Sequence, residues 1–156
     1  MFYDTETKTR PTNIAYITPS MTSHHGFNNG YRIYTVDAGH SMETYRVLDT
    51  ETFVFDLSSA NEAGEELLPT WYKIYSARED LQMENLFPAE WDKVVRRLAE
   101  EEDFYGKWIK YYNKDGPGGS DIGSRRSILC DLVTSSNLDK SKCDEILGPE
   151  SLDNLL

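Results

Sequence analysis

Two adjacent histidines are the residues of this sequence best suited to contact a substrate. His24 and His25 lie in a segment that begins at Pro19 and ends at Gly26, two residues typical of loops. Imidazoles in a loop can hydrogen bond a phosphate ester, and histidine gains positive charge in mildly acidic solution. The pair is therefore a candidate substrate-binding element. The alternative is that both are ordinary exposed loop histidines.

The other residues with reactive side chains form no catalytic or metal-binding motif. The sequence contains no Gly-x-x-x-x-Gly-Lys, no Gly-x-Gly-x-x-Gly and no Gly-x-Ser-x-Gly. Neither the histidines (including His40) nor the two cysteines have the spacing of a metal site. The acidic run 100–103 points in several directions on a helix, which is typical of a solvated face or a helix start. We predict no catalytic residue and no metal ligand in this chain.

The two cysteines could form a disulfide. Cys130 and Cys143 are thirteen positions apart, one on each of the last two predicted helices. A bridge at this spacing would join a helix–turn–helix and, in the loop-entropy model, stabilise it by about 3 kcal/mol. Two reduced, buried thiols of a cytosolic protein would have the same spacing. The residues alone leave both possibilities open.

The charge balance limits the partners of this chain. Its 156 residues include 16 Lys and Arg against 27 Asp and Glu, a net charge of −11, with no cluster of four basic residues. This balance is unsuited to a nucleic-acid backbone or an anionic membrane leaflet. No run of 18 apolar residues predicts a transmembrane segment, and residues 1–30 lack the apolar region of a signal peptide.

Strands are predicted in the first third of the sequence. The apolar run 13–18 predicts one strand, and Tyr31–Asp37, apolar on both faces, predicts an interior strand. Residues 45–48 and 53–57 predict a hairpin around a polar turn at 49–52.

Helices are predicted after Ser58, where the apolar period changes from about 2 to about 3.6. Apolar stripes indicate helices after Pro69, after Pro88, over 104–112 and over 128–133, with a short helix at 142–147. We expect the stripe over 104–112 to pack in a core, and 113–119 to form a Gly/Pro loop. Strands followed by helices predict an α+β fold.

Six motifs, in order, resemble the C-terminal region of the acid sphingomyelinase family. The first two contain Pro19-Ser20 and Gly30-Tyr31-Arg32, within segments 10–22 and 28–37. The other four are Val47–Phe53, Asp56–Asn61, Tyr75–Glu79 and Leu86–Trp91. Each motif is modest alone, but together they extend the resemblance over residues 2–147.

This resemblance implies an origin for the chain and an architecture. Family members are calcineurin-like metallophosphoesterases that use two zinc ions to hydrolyse sphingomyelin to ceramide and phosphocholine, in lysosomes or outside the cell. Their metal-ligand motifs lie upstream of the matched region. Residues 1–57 would be strands completing the edge of the metallophosphoesterase β-sandwich, 58–147 a helical C-terminal subdomain, and 148–156 a flexible tail. We therefore expect the upstream domain as partner, zinc only in the full-length enzyme, and no activity in this chain alone.

The resemblance also bears on individual residues. It implies that His24 and His25 lie near the substrate, and it favours the Cys130–Cys143 disulfide. His24 replaces a family tyrosine near the choline head, and a protonated His24 would repel that quaternary ammonium, so the headgroup stays open. Asn29 replaces a family proline.

Two other functions fit the same residues. The chain could be part of a related phosphodiesterase that cleaves nucleotides, or a non-catalytic acidic binding module. Pro19-Ser20 and Gly30-Tyr31-Arg32 favour the sphingomyelinase over the nucleotide enzyme.

Overall fold

The computed structural model describes residues 1–39, 41–64, 68–118, 123–135 and 139–149, and within them the fold is α+β with two small antiparallel sheets. The strands are β1 (Phe2–Tyr3), β2 (Pro11–Asn13), β3 (Asn29–Val36), β4 (Val47–Phe55) and β5 (Tyr72–Ser76). The helices are α1 (Leu57–Ala63), α2 (Ala77–Asp80), α3 (Pro88–Glu100), α4 (Glu102–Tyr112), α5 (Arg125–Val133) and α6 (Ser141–Leu147). His40 and the predicted tail beyond residue 149 lie outside the described residues.

The central strand of the larger sheet is β4, in the order β3-β4-β5. The turn predicted at 49–52 is wrong, because β4 runs through these residues without interruption. Thr50 and Thr52 are buried on the same face as Val54, and they alternate with acidic residues on the other face. Two β-branched residues at a period of two favour a strand although the segment is polar.

Strand β3 lies at an edge of the described sheet, so the prediction of an interior strand is wrong for this part of the chain. Both faces of β3 are apolar for separate reasons. On one face Tyr31 stacks on Phe53 of β4, with ring centroids 5.2 Å apart. On the other, Tyr34 meets Tyr16 edge to face at 5.7 Å.

The segment after Pro69 is a strand, and the helix predicted there is wrong. Strand β5 pairs antiparallel with β4, and helix α2 begins only at Ala77. Ile74 and Tyr75 suit a strand as well as a helical stripe, because a short apolar run does not distinguish the two periods. The available edge of β4 decides between them.

The strand predicted at 13–18 is shorter and earlier than expected. Strand β2 ends at Asn13, and the apolar run beyond it forms no sheet. Tyr16 instead lies between Tyr34 and Trp91, with its ring 6.1 Å from the Trp91 ring, and its hydroxyl donates to the carbonyl of Leu86 at 3.4 Å. The run therefore connects the sheet to helix α3 by packing rather than by strand pairing.

Helices α3 and α4 form the core of the helical lobe, as predicted. Pro88 occupies the first turn of α3, and the inward face of this helix buries Val94, Val95 and Leu98. The aromatic stripe of α4 packs on the core through Phe104, which is buried, and Trp108, whereas Tyr112 at the end of the stripe is exposed. Burying these side chains away from water supplies most of the stabilisation of such a lobe. The buried residues of this core cluster are Ala77, Leu81, Met83, Leu86, Val94, Leu98, Phe104 and Leu129.

The acidic run 100–103 lies at the junction between these helices. Glu101 separates α3 from α4, while Glu102 and Asp103 occupy the first turn of α4, and all three are exposed. Negative charge in a first turn is stabilised by the helix dipole. The prediction of a solvated helix start is confirmed.

Helices α5 and α6 are joined by the Cys130–Cys143 disulfide, with a Cα–Cα distance of 4.9 Å. The helices at 128–133 and 142–147 are thus confirmed, each with an earlier start than predicted. Cys143 is 1% exposed and packs against Val95 and Val133. None of the described helices is both long and apolar enough to cross a membrane.

The N-terminal ribbon β1–β2 packs on the helical lobe. The Tyr3 hydroxyl donates to Asp92 of α3 at 2.7 Å, and the Lys142 ammonium of α6 lies 4.5 Å from the Tyr3 ring centroid. Burial raises the pKa of Tyr3, and the bond to the Asp92 carboxylate raises it further. The first strand of the chain therefore contacts helices α3 and α6.

Candidate functional site

The two candidate histidines lie in a tight turn, which we call the histidine turn, His24–Gly26. Their imidazole rings are neighbours, with centroids 3.9 Å apart and planes tilted by 54°. Both side chains are exposed. His25 has a left-handed backbone (φ 59°), and Gly26 continues it (φ 74°). The predicted pair is thus presented on the surface as one unit.

The histidine turn packs against a second loop, which we call the glycine loop, Gly116–Gly118. The amide of Gly118 donates to the carbonyl of Gly26 at 3.1 Å. A Cβ on Gly118 would lie 1.7 Å from the His25 carbonyl oxygen, and one on Gly116 would lie 2.6 Å from the Gly26 carbonyl oxygen. Only glycine permits this approach of two backbones. The sequence marks 113–119 as a loop but does not indicate this contact.

A buried lysine lies beneath the histidine turn. The Lys114 side chain donates from Nζ to the carbonyl of Ser20 at 2.9 Å and to that of Thr22 at 3.2 Å. Burial lowers the pKa of Lys114, because desolvation disfavours the charged ammonium. This residue could not be recognised from the sequence, since a single lysine after a helix has no distinguishing pattern. The Gly-rich sequence that follows it is the one available signal.

The base of the loop is closed by an asparagine–glycine segment. Gly30 donates its amide to the Ser20 carbonyl at 3.2 Å, and the Asn29 side chain donates to the carbonyl of Met21. Asn28 is buried and accepts from the amide of Leu57 at 3.1 Å. The beginning of the loop 18–30 is therefore hydrogen-bonded to β3 through Ser20 and Met21, and its end is hydrogen-bonded to the start of α1 through Asn28.

The Gly30-Tyr31-Arg32 motif has a structural explanation. The Arg32 guanidinium donates to the Thr52 hydroxyl at 2.9 Å, to the Ile17 carbonyl at 3.1 Å and to the Tyr75 hydroxyl at 2.8 Å. These partners belong to β4, to the segment before the histidine turn and to β5. One side chain thus fixes that segment to the sheet through planar, directional bonds that lysine could not reproduce.

The face of the sheet opposite the helices carries an aromatic cluster of Tyr31, Phe53, Phe55 and Trp71. The Trp71 ring lies 4.9 Å from that of Tyr31 and 4.7 Å from that of Phe55. Tyr31 remains 39% exposed and Trp71 36% exposed. Large aromatic side chains grouped on an open face are typical of an interaction surface. We refer to it below as the aromatic face.

The chemistry available at the histidine turn is binding. Two exposed imidazoles can donate hydrogen bonds to phosphate oxygens, but in the described part of the chain no carboxylate is paired with either ring. Among the described residues, no three His, Cys, Asp or Glu side chains converge to hold a metal ion. The turn therefore fits contact with a phosphate group, and within the described residues neither ring has the carboxylate partner that would orient and activate a catalytic histidine.

The chain is similar to known sphingomyelin phosphodiesterases, although it matches no protein-family model. It is 33% identical to the Bos taurus sphingomyelin phosphodiesterase and 32% identical to the Homo sapiens protein, in each case over 97% of this chain. It is 28% identical to sphingomyelin phosphodiesterase 2 of Caenorhabditis elegans over 94% of this chain. The chain spans about a quarter (24%) of the length of each of these relatives. The chain therefore corresponds to about a quarter of the length of each of these sphingomyelin phosphodiesterases. This similarity confirms the resemblance to the acid sphingomyelinase family.

Proposed function

We propose that this chain is the C-terminal portion of a zinc-dependent sphingomyelin phosphodiesterase, which hydrolyses sphingomyelin to ceramide and phosphocholine. The observation that carries the proposal is the similarity along 97% of this chain to relatives named for that activity. In this proposal residues 1–57, together with β5, which pairs with β4, complete the upstream phosphoesterase domain, and the helices within residues 58–147 form the subdomain behind it. A lysosomal or extracellular location belongs to the same proposal, since a disulfide persists in such compartments.

The zinc ions would be held by residues outside this chain. The described residues do not fit a zinc site, because no three potential ligands converge and both cysteines are joined to each other. When bound, zinc would polarise the phosphodiester and activate the attacking water. The residues of this chain contribute the rim, where His24 and His25 would donate hydrogen bonds to the substrate phosphate.

The aromatic face supports a role as scaffold. The helices cover one face of the three-stranded sheet, while Tyr31, Ile33 and Trp71 are left partly or largely exposed on the other. We assign this face to the upstream metallophosphoesterase domain, whose β-sandwich the sheet would extend. Burying aromatic surface of this kind is the main source of free energy for joining two domains.

The chain alone should hydrolyse neither sphingomyelin nor a chromogenic phosphodiester in the presence of zinc. The protein extended by the reading frame upstream of the Met1 codon should hydrolyse sphingomyelin, and a chelator should abolish this activity. Release of phosphocholine measures both. Chelator-sensitive turnover by the chain alone would contradict the proposal, as would an extended protein that prefers nucleotide phosphodiesters or has no activity.

The histidine pair should matter in the extended protein. Replacing His24 and His25 by alanine removes hydrogen bonds to a charged phosphate, so kcat/KM for sphingomyelin should fall by about 10-fold to 100-fold. Ser23→Ala is the matched control, because Ser23 precedes the same turn and its side chain forms no capping hydrogen bond. Equal activity of the histidine and serine variants would show that the histidines are ordinary surface residues.

A further inference from the structure

Lys114 is buried, and no charged partner for it lies within the described residues. It is 6% exposed, and it forms no ion pair with any carboxylate of the described ranges. Its hydrogen-bond acceptors are the two carbonyls of Ser20 and Thr22, and its ammonium lies 5.6 Å from the Phe27 ring centroid. A buried lysine that only binds backbone oxygens loses hydration without gaining a salt bridge. The two hydrogen bonds offset part of this cost and hold the backbone at Ser20 and Thr22 in place.

The backbone around Lys114 is shaped to direct its side chain toward the loop. Helix α4 ends at Tyr112, and the next turn has two left-handed residues, Lys114 (φ 55°) and Asp115 (φ 54°). Residues other than glycine rarely adopt this conformation. The lysine stem then passes beside Gly30, where a Cβ would lie 3.2 Å from the Lys114 Cδ. The absence of a side chain at Gly30 leaves room for the stem.

The glycine loop contacts the same segment directly downstream. Lys114 binds the chain before the histidine turn, and Gly118 binds Gly26 at its end, through the 3.1 Å hydrogen bond described above. The two contacts flank His24 and His25 on both sides and come from one stretch of five residues, 114–118. The imidazoles therefore project from a turn that is fixed at both ends by the helical lobe.

We infer that Lys114 and the glycine loop form a clasp that positions His24 and His25 toward the substrate phosphate. This inference rests on the proposed function, and it makes Lys114 a positioning residue that does not itself contact substrate. Removing the ammonium while keeping the stem frees the two carbonyls and lets the turn sample other conformations.

The clasp can be tested on the 156-residue chain itself by hydrogen–deuterium exchange. In Lys114→Met, the hydrogen-bonded amides of Thr22, Gly26 and Phe27 should exchange at least about tenfold faster, because two hydrogen bonds that restrict the loop are lost. Lys110→Met is the matched control. The Lys110 side chain is exposed on α4, and among the described residues Lys110 bonds through its backbone, whose carbonyl accepts from the amide of Asp115. Should Lys114→Met fail to fold, Gly118→Ala tests the other end of the clasp and should accelerate exchange in the same amides. Unchanged exchange in the folded variant overturns the clasp.

The positioning role is tested separately in the extended enzyme by a double-mutant cycle. Lys114→Met should lower kcat/KM for sphingomyelin, but should cause little further loss when His24 and His25 are already alanine. Full additivity, or no loss in the single variant, overturns the positioning role. If the proposed function is wrong, the unsubstituted extended enzyme will not hydrolyse sphingomyelin. The hydrogen–deuterium exchange result would still show whether the clasp exists.

Discussion

Replacing Cys130 and Cys143 by alanine should lower the free energy of unfolding by about 3 kcal/mol. The disulfide closes a loop across helices α5 and α6, and Cys143 is buried against Val95 of α3. Without the bridge the unfolded chain gains conformational freedom, and a small gap forms where the sulfur atoms packed. Urea denaturation of the two proteins measures the difference.

A reductant provides the internal control for this prediction. Dithiothreitol should shift the urea midpoint of the natural chain toward that of the alanine variant and leave the variant itself unchanged. Alkylation under denaturing, non-reducing conditions should label no cysteine. Two labelled cysteines would place both thiols in the reduced state, and equal midpoints for the two proteins would show that the bridge does not stabilise the chain. Either result would contradict the prediction.

Leu98→Ala should destabilise the chain by about 3 kcal/mol. Leu98 is 1% exposed and lies in the cluster that joins α3 to Leu81, Phe104 and Leu129. Truncation removes three carbons from water-free packing and leaves a cavity that rigid neighbours fill only in part. Because domains of this size are stable by only about 5–15 kcal/mol, the change should be visible in both thermal and urea unfolding.

Leu68→Ala is the matched control for Leu98→Ala. Leu68 has the same side chain but is 88% exposed, so its truncation should change the free energy of unfolding by less than about 0.5 kcal/mol. A similar loss in both variants would mean that the cluster around Leu98 is not the core of this chain. A loss confined to Leu98→Ala supports the packing described above.

The helices of this chain can be predicted from its sequence more fully than its strands. Helices α3 and α4 can be predicted because each has an apolar stripe over three turns. A stripe of this length indicates a helix that buries one face against a core. Strands β4 and β5 were misinterpreted because a run of four or five residues is compatible with a turn, a strand or a short helix. Its structure depends on which neighbouring edge is available for hydrogen bonding.

The candidate site shows the same division. His24 and His25 were identified from residue type and loop context, and the structure places their rings side by side. Lys114 and Gly118 were not identified, since they are 90 or more positions away along the chain from the carbonyls at 20–26 that they contact. No local pattern encodes a contact at that separation.

The sequence by itself determined the class of the fold, the resemblance to the acid sphingomyelinase family and the helical core of this chain. These properties follow from composition, ordered motifs and the 3.6-residue period, all of which are local. The tertiary structure alone decided the strand order, the aromatic face and the support of the histidine turn by Lys114 and the glycine loop. Each of these requires groups far apart in the chain to meet at hydrogen-bonding or van der Waals distance, which only the folded backbone can arrange.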